Sequence, residues 1–327
     1  MDKVDENTFQ SIETTIAYVM PDSVVNYLNA ALDTMERHSI KKNEIDWQTF
    51  RSNIIKKAAG STTYSQTYPV LEFALKNLGD NHSFFKKPEQ VVEWNKKSVI
   101  PGRKKWQPPI AVMRDEIAEI RLSSYSSGNT SDNIKHAQDL QNAIQGLDSL
   151  NPKGWIIDLS HNSGGNIWPM LAGIGPLVIE GIQGSFYSVD QKKIPWYYKT
   201  GEVGISDSVI LKLPKPYSLK NKNAPIAIFI SGLTASSGEA ILISFKNRRN
   251  VRIFGEPTAG LATANASFYL KDGAQLIITS AIFMDSNDKL YGGQIMPDVD
   301  LSELWYYVSG FEHYIMLQEA EKWFETF

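Results

Sequence analysis

The sequence predicts an α/β protein, with a core of mixed, partly parallel sheets preceded by a small helical bundle. Three observations carry this expectation. The first 80 residues show apolar positions at the 3.6-residue helical period and no convincing strand. From about residue 109, short continuous apolar runs alternate with helical patterns, as in parallel sheets covered on both faces. Turns rich in glycine and serine, "HNSGG" and "TASSG", follow two of those runs, where strand gives way to helix.

Taken in order, "PDSVVNYLNAALDTMERHSI" aligns Val24, Val25, Leu28, Ala31 and Leu32 on one helical stripe. "DWQTFRSNIIKKAAG" begins with the cap candidate Asp46 and stops at Gly60, and "YPVLEFALKNLG" is read as a helix with Pro69 near its start and Gly79 just past its end. Residues 84–108 are basic, hold three prolines and lack a period, so they are read as a connecting or cap segment. "IAVMRDEIAEIRLSS" gives two short strands turning at Arg114–Asp115, and "SDNIKHAQDLQNAIQGL" a helix capped by Ser131 or Asp132. "GWIIDLS" and "APIAIFIS" are buried strands, each leading through a turn into a helix, "NIWPMLAGIGPLV" and "SGEAILISFKNRRN". Strands with the turns "KDG" and "DSND" fill 265–296, and the chain closes as helix. The expected divisions are 1–83 for the bundle, 84–108 for the connection and 109–327 for the core.

Composition removes several functions. A net charge of −3 over 327 residues offers no electrostatic basis for binding nucleic acid. The absence of cysteine excludes disulfides, thiolate metal sites and cysteine nucleophiles. No apolar run approaches the roughly 18–20 residues of a membrane span. The start, "MDKVDENTFQ", lacks the basic-then-apolar pattern of a signal peptide. The expectation is a periplasmic, extracellular or cell-envelope protein after loss of a signal segment, with the cytoplasm as the alternative.

Two turns carry the chemistry. In "TASSGEA", residues 234–240, a buried strand ends and a helix starts, so small hydroxyl residues sit beside unpaired backbone N–H groups at the positive end of a helix dipole. A serine there is either an ordinary helix cap or a nucleophile beside ready oxyanion donors. In "DLSHNSGGN", residues 158–166, Gly164 and Gly165 let backbone N–H groups approach a ligand at the carboxyl end of a strand, or simply supply the positive φ of a turn. A serine nucleophile needs a base, and five histidines are available. His38 and His136 sit in charged helical contexts and read as surface residues; His313, in the last helix, reads as packing; His161 lies within the glycine turn. His82 follows a glycine helix stop in "LGDNHSFF", on a short loop suited to catalysis.

Together these stretches resemble peptidase family S41, the tail-specific or C-terminal-processing proteases. "DLSHNSGG" is similar to that family's Asp-Leu-Arg-x-Asn-x-Gly-Gly turn, "TASSGEA" to its Thr-Ala-Ser-x-x-Glu nucleophile motif and "IFGEPTAG" to its Gly-Glu-Pro-Thr-x-Gly stretch. "IMPDVDL" at 295–301 and "AEIRLSSY" at 118–125 resemble a later Pro-Asp motif and the first core strand. The resemblance implies a ClpP/crotonase-like core, Ser236 as nucleophile, and an oxyanion hole formed by the Ser237 N–H with that of Gly164 or Gly165. The lysine that the processing proteases use, 25 residues after the serine, is replaced here by Leu261. "DNHS", 80–83, resembles the Asp-x-His-Ser motif of the branch with a serine–histidine pair, which includes nisin-resistance-type, tricorn-core and retinoid-binding-protein-like members. His82, 154 residues upstream of Ser236, becomes the expected base. About 27 residues lie between His82 and Pro109, too few for the PDZ domain many members carry, and "KLYGGQIMPD" lacks the extra acid of the tricorn tetrad.

The function implied is a serine endopeptidase or tail-specific peptidase, needing no metal or cofactor and binding a peptide or protein substrate extended near its C-terminus. The alternative is a non-catalytic peptide- or lipophile-binding protein on the same core. A crotonase-like enzyme ranks below both, because no basic or adenine-binding signature for coenzyme A is present.

Overall fold

The computed structural model describes residues 20–95, 109–246, 248–305 and 310–327. Residues 1–19 of the expected bundle and 96–108 of the expected connection lie outside the described residues. In chain order the elements are helices α1 (Asp22–His38), α2 (Trp47–Lys57) and α3 (Tyr64–Lys76), strand β1 (Phe84–Lys86), helix α4 (Pro88–Asn95), strands β2 (Ile110–Arg114) and β3 (Ile117–Arg121), helix α5 (Thr130–Asp148), strand β4 (Gly154–Asp158) and helix α6 (Ile167–Ile174). Four strands follow, β5 (Gly181–Ser188), β6 (Lys193–Lys199), β7 (Glu202–Ile205) and β8 (Ser208–Lys212), then β9 (Ile226–Ile230), helix α7 (Ser237–Ile243) and strand β10 (Val251–Gly255). The chain finishes with strands β11 (Thr263–Tyr269), β12 (Gln275–Asp285) and β13 (Val299–Asp300) and helices α8 (Ser302–Trp305) and α9 (Glu312–Phe324).

These elements form two compact units. Of the described residues, one draws on those up to Trp94 and on Asn265–Ala281; the other on those within Asn95–Ala264 and Ile282–Phe327. In the first unit, Leu28, Leu32 and Met35 of α1, Ile54 of α2, and Leu71 and Leu75 of α3 are buried together with Leu270, Leu276 and Ile278 from the later segment. Asp272, in the turn between β11 and β12, accepts hydrogen bonds from Tyr27 (3.0 Å), Tyr68 (2.8 Å) and the Ala274 amide (3.1 Å). Burial first, and then the charge of Asp272 and the hydrogen bond to it, push both phenols above the ordinary tyrosine range. One carboxylate thus ties two helices to a hairpin about 200 residues away, a link no local pattern reveals.

Three local readings are corrected here. Helix α3 begins at Tyr64, not near Pro69, because Gln66 Oε1 accepts from the Thr62 and Thr63 amides and nucleates an earlier first turn; Pro69 therefore lies inside the helix. Residues 84–95 are not simply a connection: β1 pairs antiparallel with β12, and Pro88 starts α4, whose first position needs no N–H. The cap of α5 is Asn129, whose Oδ1 accepts from the Asp132 amide at 3.1 Å, rather than Ser131 or Asp132.

In the second unit a sheet runs in the order β13-β10-β9-β4-β3-β2. All neighbours are parallel except β2, which pairs antiparallel with β3. Every residue of β4 and β9 is buried, because both faces are covered. Trp155, Ile157, Ile226, Ile228 and Ile230 face a core shared with α5, α6 and α7. Ile156, Ala227 and Phe229, the alternate residues, pack with Phe254, Met316 and Ala320 beneath α9. A second, antiparallel sheet runs β5-β6-β7-β8. The closing segment is two helices, α8 and α9, with Gly310 at positive φ ahead of the second.

Replacing Asp272 with alanine strands the buried Tyr27 hydroxyl and the half-buried Tyr68 hydroxyl and is expected to destabilise the protein by about 2–4 kcal/mol in urea unfolding. A loss below about 0.5 kcal/mol would show that this carboxylate does not hold the first unit together.

Candidate active site

Ser236 stands between β9 and α7 with φ 53° and ψ −119°, in the left-handed region that a non-glycine residue rarely occupies. The forced conformation leaves its side chain half-buried and reachable, whereas Thr234 and Ser237 on either side are buried. Glu239 reaches back and takes the Ser236 amide at 2.7 Å, with Ser236 at the N-cap position of α7. The Glu239 bond thus holds the strained backbone that exposes the hydroxyl.

The other oxygen of Glu239 accepts from the Thr258 hydroxyl (2.6 Å) and the Gly260 amide (3.1 Å). Burial pushes this carboxyl above its usual range, opposed by the hydrogen bonds from Thr258 and from the Ser236, Gly260 and Leu261 amides. Thr258 in turn accepts from the Ile295 amide at 2.8 Å, which draws the "IMPD" stretch against "EPTAG". Glu239 and Thr258 were not singled out from the sequence as site residues. The signal that could have found them is the capping-box spacing, Ser followed three residues later by Glu.

The glycine turn lies against the serine. Asn162, fully buried, organises it: its carbonyl accepts from the Ala235 amide (2.9 Å), its Oδ1 from the Gly164 amide (2.9 Å), and its Nδ2 donates to the Leu122 carbonyl (3.0 Å). Gly164 has φ +95°, and a methyl group there would come within 2.8 Å of Ser236 Cβ and 3.0 Å of the Ser237 nitrogen. Gly165 has φ +123°, and a methyl group there would meet the Tyr125 carbonyl at 2.1 Å. The Ser237 hydroxyl donates to the Gly165 carbonyl at 2.8 Å. Among the described residues, the Gly164 N–H is thus engaged by Asn162, while the Gly165 and Ser237 N–H groups have no acceptor. Ser236, Ser237, Gly164 and Gly165 are brought together. Leu261, half-buried, occupies the place of the absent lysine.

Beneath this turn, Arg121 pairs with Asp158 (2.8 Å) and Arg114 with Glu119, whose carboxylate is 1% exposed. His313 lies 3.3 Å from Glu119 and 3.6 Å from Asp158. Burial would raise the Glu119 carboxyl, but the nearby His313 ring and the Arg114 hydrogen bond override it and hold it at about 2. Glu119, Asp158 and His313 could each offer a ligand atom to a metal ion. The arginines already match both carboxylates, so the group reads as an ion-pair cluster. His313 does more than pack, although its ring also meets Phe229 edge-on at 5.7 Å.

His82 belongs to the first unit, on the loop between α3 and β1. Asp80 fixes that loop: its carboxylate accepts from the His82 amide (2.9 Å), the Ser83 amide (2.7 Å) and the Ser83 hydroxyl (2.6 Å). Asn265 donates to the His82 carbonyl at 3.1 Å, and Asn265 is itself held by Thr279 at 3.0 Å. The Asp in "DNHS" is therefore a clamp on the histidine's backbone. Burial pushes the His82 imidazole below its usual pKa, partly offset by the Asp80 charge. Two histidines expected on the surface are not simply exposed. His136 stacks on Tyr125 at 3.8 Å, and burial lowers it to about 4; His38 stacks on Phe268 at 4.3 Å. His161 is exposed in the glycine turn, next to the Ser160 hydroxyl (3.0 Å).

Residues 116–301 match the model of Peptidase family S41. The chain is 30% identical over 283 residues to a nisin-resistance protein from Lactococcus lactis subsp. lactis, an alignment covering 86% of this chain and 85% of the relative. It is 26% identical to the carboxy-terminal processing protease CtpA of Bacillus subtilis (strain 168), covering 57% of this chain but only 35% of that protein. Among solved structures, a lipoprotein from Streptococcus agalactiae superposes with a TM-score of 0.72 at 27% identity, covering 94% of this chain and 98% of that one. The photosystem II D1 C-terminal processing protease shares the fold, with a TM-score of 0.60 at 14% identity over 84% and 92% of the two chains.

Replacing Glu239 with alanine leaves the Ser236 and Gly260 amides and the Thr258 hydroxyl without their acceptor. A destabilisation of about 3 kcal/mol or more is expected from denaturant midpoints. A shift below about 1 kcal/mol would mean that other contacts hold the serine turn.

Proposed function

The chain belongs to peptidase family S41, and from that premise we propose that it is a serine peptidase acting through Ser236 as nucleophile and His82 as base. The observation that carries this reading is the forced φ of 53° at Ser236 beside two backbone N–H groups without acceptors. A capping serine needs no strain, whereas a nucleophile on a sharp strand-to-helix turn does.

In the proposed mechanism neutral His82 takes the proton of the Ser236 hydroxyl as Oγ attacks a peptide carbonyl. The Gly165 and Ser237 N–H groups hold the developing oxyanion. Gly165 is preferred over Gly164 because the Gly164 N–H is committed to Asn162 at 2.9 Å. The imidazolium then protonates the leaving amine, and a water attacks the acyl-enzyme with His82 again as base. Leu261 leaves no amine at the lysine position of the processing proteases, and the lowered pKa of His82 keeps its ring neutral at pH 7 without the deep desolvation a lysine base requires. A peptide or protein substrate held extended near its C-terminus is supported by the similarity to carboxy-terminal processing proteases. A cell-envelope location is supported by the likeness to a lipoprotein. No helix among the described residues is long and apolar enough to cross a membrane.

Ser236→Ala and His82→Ala are each expected to lower peptide cleavage by a factor of about 10³ or more, with unfolding midpoints little changed. Wild-type cleavage in either variant would remove that residue from the mechanism. Because His82 titrates below its ordinary 6.5, kcat/KM should fall with acid along a limb whose midpoint lies below pH 6.5. A limb centred above pH 7 would contradict His82 as the base.

A further inference from the structure

A pocket of about 900 Å³ opens in the second unit, lined by residues from the end of α6 to Glu180, by Tyr198 of β6, and by the two loops that lead into β9 and β10. Asn223 and Asn250, just before those strands, contribute to its wall. The nucleophile turn lies beyond the other end of β9, so five strand residues, about 17 Å of extended chain, separate the two places. The pocket is therefore no part of the catalytic turns.

Its charge is one-sided. Lys222, Arg248 and Arg249 line it against a single carboxylate, Glu180, whose Oε1 is occupied by the Thr200 amide (3.1 Å) and hydroxyl (2.9 Å). Asp148, buried beneath Tyr217, is taken by the Tyr217 hydroxyl (2.7 Å) and the Lys220 amide (2.9 Å). Arg248 is half-buried and, among the described residues, donates only to backbone carbonyls, those of Leu177 (2.9 Å), Lys222 (2.6 Å) and Ala224 (3.2 Å). Those bonds fix the pocket's loops and leave the guanidinium charge unmatched by any carboxylate among the described residues. Burial accordingly lowers its pKa with no acidic group opposing the shift. Lys222 and Arg249 are exposed beside it. Three cations against one carboxylate, on a chain of net charge −3, make this concavity one that favours an anion. The adjoining wall of Pro176, Val178 and Ile179 is apolar, and the volume suits a drug-sized molecule rather than a bare ion.

We propose that this pocket binds a phosphate-bearing ligand, with its oxyanion between Lys222 and Arg249 in the field of Arg248 and its apolar part against Pro176, Val178 and Ile179. The phosphate is either that of a soluble ester or the headgroup of an anionic lipid. The test uses the full chain and the double variant Lys222→Gln/Arg249→Gln, both changes on exposed side chains. Inorganic phosphate and glycerol phosphate are titrated calorimetrically at ionic strength held constant with chloride, and vesicles of phosphatidylcholine with and without phosphatidylglycerol are co-sedimented. Saturable binding of either soluble phosphate, or sedimentation only with phosphatidylglycerol, is expected from the wild type and identifies the source. The double variant is expected to bind about tenfold or more weakly. Its unfolding midpoint and peptide cleavage should stay unchanged, since neither residue touches the catalytic turns. No binding in any arm, or equal binding by the double variant, would overturn the proposal.

Discussion

The site rests on one close approach of two backbones. Gly164 lies so near Ser236 that a single methyl group would fill the space between them, and Asn162 spans the gap with hydrogen bonds to both turns. Because β4 and β9 are parallel neighbours in register, the turns that follow them emerge side by side. The sheet thus delivers a glycine turn and a serine turn to the same edge, and Asn162 fixes their spacing. The forced φ of Ser236 is tolerable only because Glu239 and the Ala235–Asn162 bond hold the backbone on either side of it.

Glu239 extends that constraint outward. A buried carboxylate is costly unless its oxygens are taken, and here one holds the serine amide while the other holds Thr258 and Gly260. The stretches around 239, 258 and 295 are consequently linked by a chain of hydrogen bonds through Thr258. The catalytic reading and the stability of this region depend on the same oxygens. A comparable device works in the first unit, where Asp80 clamps the backbone beside His82 and Asp272 gathers Tyr27 and Tyr68.

Much of this was legible in the sequence, for physical reasons. The continuous apolar runs of β4 and β9 are long enough to mark doubly covered strands, and the turns after them carry the glycines and serines that the proposed chemistry needs. The strands β5 to β8 were not legible. "GIQGSFYS" and "KIPWYYK" mix polar, aromatic and glycine residues without clean alternation, and the pairing itself contains bulges. The cap of α5 was misread because Asn129 is separated from the apolar pattern by polar residues. Nothing local could assign residues 265–281 to the unit of the first helices, since Asp272 meets Tyr27 across 245 positions. The role of Glu239 was visible as a spacing, but its second partner, Thr258, appears only in three dimensions. His82 stood out by motif resemblance, while the part played by Asp80 required the structure.

Covalent labelling distinguishes an activated serine at the 236 turn from a passive cap without knowledge of the substrate. The folded protein is treated with a fluorophosphonate and the adduct mapped by mass spectrometry. One adduct is expected, on Ser236, absent after prior unfolding and strongly slowed in His82→Ala. A folded protein that takes up no label, or one labelled elsewhere with Ser236 unmodified, would contradict it.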